Sequence, residues 1–192
     1  NDWAATCGSS NNTAGDRMYS VTLPAMNSFA IAATTNFDAV VSFYNPTCGL
    51  PALACSDNPE SIATGALAAG TYRFVVDGYS SATGNYVLNV SGKIAGGESC
   101  EGPLAIAGAL TCDTGFLCGG TMGSRTCTPT QCNDTVDADG DTFVGYPTDP
   151  GCTSIADNDE TDPATPPVCA NGAGDDMDGQ MDYPADTGCR SA

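Results

Sequence analysis

Alternation of apolar and polar residues dominates the first half of the chain. Between residues 15 and 92, short runs rich in β-branched and aromatic side chains follow the period-two pattern of strands with one buried face. Turn residues such as Pro24, Gly70 and Gly84 separate these runs. The pattern predicts six strands, at residues 17–23, 28–34, 39–44, 61–67, 71–78 and 85–91. Short strands at this spacing indicate a mainly β fold, a jelly-roll or Greek-key β-sandwich.

The alternation stops at Gly92, and the composition changes twice after it. Residues 93–131 are rich in Cys, Gly and Thr, which predicts a small disulfide-stapled knot. Residues 132–192 have too few apolar side chains to order themselves by burial alone. We therefore expect five segments: an extended N-terminal arm (1–14), a sandwich (15–92), the knot (93–131) and two small irregular repeats (132–162 and 163–192). The Asp- and Pro-rich joint between the repeats, residues 154–168, is expected to be extended.

Charge narrows the choice of partners. The chain has 23 acidic and 5 basic residues, a net charge of -18, and 14 of the acidic residues follow Gln131. Nucleic acids and anionic membrane surfaces are poor partners for such a chain, because both require clustered Lys and Arg. No apolar run is long enough to insert across a bilayer. Divalent cations are the natural counter-charge.

Cysteine usage indicates the compartment, and the absence of histidine limits the chemistry. Eleven cysteines in 192 residues favour an oxidising environment, hence an extracellular or cell-surface protein. We expect the chain to be a mature form whose export signal has been removed. Zinc has little support, since there is no histidine and no pair of C-x-x-C motifs. Ser–His and Cys–His nucleophile pairs are impossible, so we expect no enzyme.

Two acidic loops of equal length carry the candidate chemistry. CNDTVDADGDTFVGYPTDPGC (132–152) and CANGAGDDMDGQMDYPADTGC (169–189) each begin and end with cysteine, which predicts disulfides 132–152 and 169–189. Aspartates at alternate positions of a tight loop can direct oxygens toward one Ca²⁺, whereas without a cation they would repel one another. A merely solvated acidic surface is the alternative, and the repeated spacing favours calcium. The expected ligands are Asp137, Asp139, Asp141, Asp149, Asp176, Asp178, Asp182 and Asp186.

The two loops are not identical, and other acidic residues lie near them. Gly174 stands where the first loop has Asp137, and Gly145 stands where the second has Asp182, so we expect unequal sites. Thr148 and Ala185 occupy the place of the acidic twelfth residue of an EF-hand loop, so calcium sensing of that kind is not predicted. Additional candidate ligands are Asp134, Asp175, Asp157, Asp159, Asp38, Asp57 and Asp77, although turn chemistry is the better explanation for the last three.

Both halves of the chain resemble known families. The acidic loops resemble thrombospondin type 3 calcium repeats and, more closely, the C-N-D-G-x-D-N-D-G-D-G…D-Y-P-x-D-P-G-C repeats of secreted bacterial proteins. GDRMYSVTLP (15–24), NFDAVVSFY (36–44), CGLPALACSDN (48–58) and residues 71–92 resemble the bacterial pre-peptidase C-terminal domain, a jelly-roll sandwich. That resemblance covers roughly residues 14–92. It implies a non-catalytic accessory or bacterial surface role, and a Cys48–Cys55 bridge across a short hairpin.

The remaining cysteines and the sequons leave alternatives open. Cys100, Cys112, Cys118 and Cys127 allow three pairings, of which we prefer 100–118 with 112–127. Cys7 is then left over, as a free thiol, as a cross-link to a neighbouring molecule, or as a sign that another pairing is wrong. Asn11, Asn89 and Asn133 begin glycosylation sequons, a weak indication of a glycoprotein.

Two functions fit these observations. The first is a secreted, calcium-stabilised structural or surface protein that self-associates through its N-terminal arm, as the subunit of an extracellular fibre or filament. The alternative is a non-catalytic module of a secreted enzyme that binds glycan or matrix. Phe74, Tyr79 and Tyr86 could offer it an aromatic platform, although aromatics at strand spacing more often belong to the core. The state of association in solution discriminates between them.

Overall fold

The computed structural model describes Cys7, residues 14–45, Thr47 and residues 51–192. The chain divides into two compact units, residues 1–111 with 121–125, and residues 112–120 with 126–192. Residues 93–131 therefore contribute to both units. Among the described residues, no helix has the length and apolar character needed to cross a membrane.

The first unit is built from two four-stranded sheets. One sheet has the order β1-β6-β3-β4, formed by Arg17–Leu23, Gly70–Gly78, Ala39–Tyr44 and Ala54–Ser56. The other has the order β5-β2-β7-β8, formed by Ser61–Thr64, Met26–Thr35, Tyr86–Ile94 and Leu110–Cys112. One short helix, α1, covers Pro103–Ile106. The mainly β class predicted from the pattern is confirmed.

The core lies between the two sheets. All six residues of β3 are buried, as expected for a strand placed between β6 and β4 in its sheet. Phe43 of β3 approaches Phe29 of the opposite sheet at 5.7 Å between ring centroids, and it stacks on Tyr72 at 5.3 Å. β7 shows the one-sided alternation that predicted it, with Val87 and Asn89 exposed between half-buried neighbours.

Strand positions agree best with the sequence where a turn residue directly follows the strand, as Pro24 follows β1 and Asn45 follows β3. β1 and β3 have the predicted bounds, β2 and β6 run slightly beyond theirs, and β7 covers 86–94 rather than 85–91. The fourth predicted strand ends at Thr64 rather than residue 67. β4, β8 and α1 were not predicted, and neither were β9 (Phe116–Gly119) and β10 (Thr126–Pro129). These elements are three or four residues long, too short to show a periodicity.

The second unit has little regular structure. The antiparallel pair β9 and β10 precedes two single-turn 3₁₀ helices, Gln131–Asn133 and Val168–Ala170, one at the start of each acidic loop. Disulfides Cys132–Cys152 and Cys169–Cys189 close the loops, each with a sequence separation of 20 residues, as predicted. Cross-links of this kind replace the apolar core that the sequence lacks.

The pairing of the other cysteines corrects one prediction. Cys55 bonds Cys7, not Cys48, so the hairpin bridge implied by the family resemblance is wrong, and Cys7 is not a spare cysteine. Cys48 itself lies outside the described residues. Cys112–Cys127 is confirmed, and Cys100 and Cys118 are both disulfide-bonded as well. The Cys7–Cys55 bridge could not be read from the pattern, because it joins residues 48 apart in sequence.

The joint after the first acidic loop is also different from the prediction. Its first part folds back over the loop instead of running free: the amide of Cys132 donates to the carbonyl of Asp157 at 3.3 Å. The hydroxyl of Thr130, which is 1% exposed, donates to the carbonyl of Ile155 at 2.6 Å. In the stretch that follows Glu160, residues 161–166 are all exposed.

Candidate metal centre

The two acidic loops share one backbone conformation. The amides of Tyr146 and Tyr183 donate to the carbonyls of Cys132 and Cys169, at 3.0 and 2.9 Å. Equivalent positions also have left-handed backbone: φ is +86° and +67° at Gly140 and Met177. φ is also positive at two further equivalent pairs, Thr142 with Gly179 and Gly145 with Asp182. The loop is therefore one structural unit used twice, although glycine occupies different left-handed positions in each copy.

In the first loop, backbone hydrogen bonds orient the aspartates inward. Asp139 accepts the amide of Asp141 at 3.2 Å, and Asp141 accepts that of Phe143 at 2.7 Å, so one oxygen of each is held in a turn. Asp137 accepts two amides, those of Gly140 and Thr142. Carboxylate oxygens of Asp137, Asp139 and Asp141 all lie within 4.8 Å of one another. A cation with ligands at about 2.3–2.6 Å fits such a spacing.

The second loop repeats the turns at Asp139 and Asp141, but Gly174 takes the place of Asp137. Asp176 and Asp178 accept the amides of Asp178 and Gln180, as their counterparts do in the first loop. Their carboxylates group with that of Asp186, again within 4.8 Å. Asp182 is not in the group, and its two oxygens accept the amides of Asn171 and Gly172, at 3.1 and 2.8 Å. The structure thus gives Asp182 a role in holding the loop closed.

Asp149 is the most deeply placed carboxylate of the first loop. Its side chain is fully buried, and its Oδ1 accepts the amide of Gly151 at 2.7 Å, while Oδ2 has no hydrogen-bond partner. Asp186 makes the equivalent bond to Gly188 at 2.6 Å. Burial raises the pKa of Asp149, and the negative charges of Asp141, Glu160 and Asp139 raise it further. The hydrogen bond from the Gly151 amide lowers this pKa, but the net shift is upward. A buried carboxylate with an unused oxygen is a costly arrangement unless a cation compensates it.

Glu160 and Asp162 were not predicted, and they come from the joint. The Glu160 side chain is 1% exposed and accepts the amides of Ala138 and Gly145, at 2.8 and 3.1 Å. The Asp162 carboxylate lies within 4.8 Å of those of Asp141 and Asp149. Partial desolvation raises the pKa of Asp162, and the negative charges of Asp141 and Asp139 raise it further. Sequence reasoning missed both residues because it took the joint for a linker.

The additional candidate ligands are engaged locally. Asp134 accepts the amide of Val136, and Asp175 accepts the side-chain amide of Asn171. Asp157 accepts the hydroxyl and amide of Thr153, which hold its pKa low, and bonds to Thr161 hold the pKa of Asp159 low. Within the described part of the chain, none of the carboxylate groups that could hold a metal includes these four residues or Asp38, Asp57 and Asp77.

The fold also bears on the predicted glycosylation sequons and on the predicted aromatic platform. The side-chain nitrogen of Asn133 is half-buried and donates to the carbonyl of Gly115 at 2.9 Å, which disfavours glycosylation there. Asn89 is exposed on β7, and Asn11 lies outside the described residues. Phe74 is 6% exposed and stacks on Tyr19 at 4.9 Å, so it belongs to the core rather than to an exposed aromatic platform.

No protein-family model, curated protein or solved structure matches this chain. The geometry of the two loops is therefore the basis for any functional conclusion. It provides carboxylate groups that could hold metal ions in both loops.

Proposed function

We propose that this is a secreted structural protein of the cell surface whose C-terminal repeats are stabilised by Ca²⁺. The observation that carries the proposal is that equivalent aspartates group in two disulfide-closed loops: Asp141 groups with Asp139 and also with Asp149, and its counterpart Asp178 groups with Asp176 and Asp186. Hard oxygen ligands on a flexible loop suit Ca²⁺ better than Mg²⁺, which requires near-ideal octahedral geometry.

Calcium has a definite structural task in this proposal. The second unit concentrates like charges and has few buried apolar side chains, so the folded loops are electrostatically unfavourable without a counter-ion. A cation bound only by the folded form adds stability, about 2.7 kcal/mol per site when its free concentration is 100 times Kd. Calcium and disulfides then supply together what a core supplies elsewhere.

The experiment is thermal unfolding in Ca²⁺, in Mg²⁺ and in chelator, together with limited proteolysis mapped over residues 132–192. We expect Ca²⁺ to raise the melting temperature and to protect this region, with Mg²⁺ much less effective. The double variant Asp139→Asn/Asp176→Asn should lose the calcium effect. Asp159→Asn/Asp175→Asn, which also removes two negative charges but from residues outside the carboxylate groups, should keep it. Equal melting and equal digestion in Ca²⁺ and chelator would contradict the proposal.

Self-association into a fibre is the second part of the proposal. β1 is an edge strand with most of its residues exposed, and an extended segment of another molecule can add to such an edge. Cys7 does not provide an intermolecular cross-link, since it bonds Cys55 of the same chain. Sedimentation of the protein at high concentration tests this part. A single monomeric species with and without Ca²⁺ would rule out the fibre and favour the glycan- or matrix-binding module.

A further inference from the structure

The joint after the first loop is anchored to it by a series of hydrogen bonds. The amide of Gln131 donates to the side chain of Asn158 at 3.2 Å, and the Glu160 carboxylate accepts the amides of Ala138 and Gly145. Glu160 is buried and has no cationic partner among the described residues. The segment from Thr153 to Asp162 therefore forms part of the first repeat rather than a spacer.

This docking places a carboxylate from the joint at the loop. Asp162 lies within 4.8 Å of Asp141 and Asp149, although it follows Asp149 by 13 residues and lies outside the disulfide-closed loop. The neighbouring oxygen, Oδ2 of Asp149, belongs to a fully buried side chain and has no hydrogen-bond partner. Two carboxylates beside a third whose buried oxygen has no hydrogen-bond partner form an arrangement that a bound cation explains and that hydrogen bonding within the protein does not.

We infer that Asp162 is a metal ligand, completing with Asp141 and Asp149 a cation position that fastens the joint to the first repeat. This inference rests on the proposed calcium binding, and it adds a consequence. The cation would hold residues 153–162 in place, so the order of the joint, and with it the tether to the second repeat, depends on calcium. Glu160 acts as a positioning residue, because its two hydrogen bonds bring Asp162 within reach.

The test compares Asp162→Asn with Asp159→Asn in the otherwise intact protein. Both variants remove one negative charge from an exposed residue of the joint, but only Asp162 belongs to a carboxylate group. Calorimetric titration with CaCl₂ should show about 10-fold weaker binding at one site in Asp162→Asn, and wild-type affinities in Asp159→Asn. Circular dichroism and the masses of the disulfide-linked peptides confirm that both variants fold.

A second readout reports on the joint itself. Glutamyl endopeptidase cleaves after Glu160, which is buried while the joint is docked. For each protein, the ratio of cleavage rates in chelator and in Ca²⁺ is measured, so that effects of the substitution on the protease cancel. The wild type and Asp159→Asn should show a large ratio, and Asp162→Asn a ratio about 10-fold smaller.

The possible outcomes separate the two claims. If the wild type binds Ca²⁺ but Asp162→Asn keeps its affinities and its protection, the inference about Asp162 is overturned and calcium binding stands. Equal losses in Asp159→Asn and Asp162→Asn would also overturn it, because general charge would then explain the effect. A wild type that neither binds Ca²⁺ nor gains protection would overturn the proposed function as well.

Discussion

Glu160 accepts the amide hydrogen of Gly145 at 3.1 Å, across 15 residues of sequence and in a place where its side chain is 1% exposed. The same carboxylate accepts the amide of Ala138. A buried, charged side chain thus holds together two points of the loop, at 138 and 145, that the Cys132–Cys152 bridge alone does not fix.

Removing this carboxylate should loosen the first repeat. Glu160→Ala leaves two backbone amides without their acceptor, and the expected loss of stability is about 1–3 kcal/mol. Chemical denaturation in saturating Ca²⁺ measures it. Asp159→Ala, on the exposed neighbouring residue, serves as the control and should change stability by less than about 0.5 kcal/mol. Equal effects of the two substitutions would contradict the role given to Glu160.

Asp149 should have opposite effects with and without metal. Its pKa is raised by burial, so its contribution to stability without metal is fully present below its unfolded value near 3.8 and is lost as pH rises through the folded pKa. In chelator, lowering the pH from 7 toward 4 should therefore stabilise the first repeat through this group. A bound cation favours the ionised form and should reverse the trend.

Asp149→Asn provides the matching variant, since an amide cannot ionise. At pH 7 it should raise the melting temperature in chelator and lower it in Ca²⁺ relative to wild type. The asparagine Oδ1 can still accept the amide of Gly151, so the turn is preserved. A variant that is less stable than wild type in both conditions would indicate a purely structural residue.

Asp182 and Asp186 should separate loop closure from metal binding in the second repeat. Asp182→Asn removes a capping charge from the amides of Asn171 and Gly172, so we expect a destabilisation of about 1 kcal/mol with little change in calcium affinity. Asp186→Asn should weaken binding about 10-fold, because Asp186 groups with Asp176 and Asp178. Calcium titration and denaturation of both variants distinguish the two roles. An equal loss of affinity would return Asp182 to the set of ligands.

The cysteine pairing predicts a specific peptide. A digest without reducing agent should contain Cys7 linked to Cys55, with the Cys132–Cys152 peptide as the internal control. Cys7→Ala/Cys55→Ala should cost about 2–4 kcal/mol, since the bridge closes a span of 48 residues. A Cys48–Cys55 peptide would show that the hairpin bridge forms instead.

The sequence by itself determined what depends on local order. Runs of β-branched and aromatic residues ended by turn residues placed β1 and β3 at their observed bounds, because Pro24 and Asn45 mark where each strand stops. Equal spacing of cysteines, aspartates and Tyr-Pro predicted two equivalent loops and their disulfides, because a repeated sequence in equal spans adopts a repeated backbone.

Only the tertiary structure decided which distant residues complete these units. Cys7 bonds Cys55, and Glu160 and Asp162 fold back over the first loop. Ordering a polar segment costs conformational entropy, and the hydrogen bonds and burial that offset this cost exist only in the folded chain. Composition made residues 154–168 look like a linker, since acidic and proline-rich sequences are extended when nothing binds them. Asp182 was predicted to be a metal ligand because it is an aspartate in an acidic loop. In the folded chain its two oxygens instead accept the backbone amides of Asn171 and Gly172.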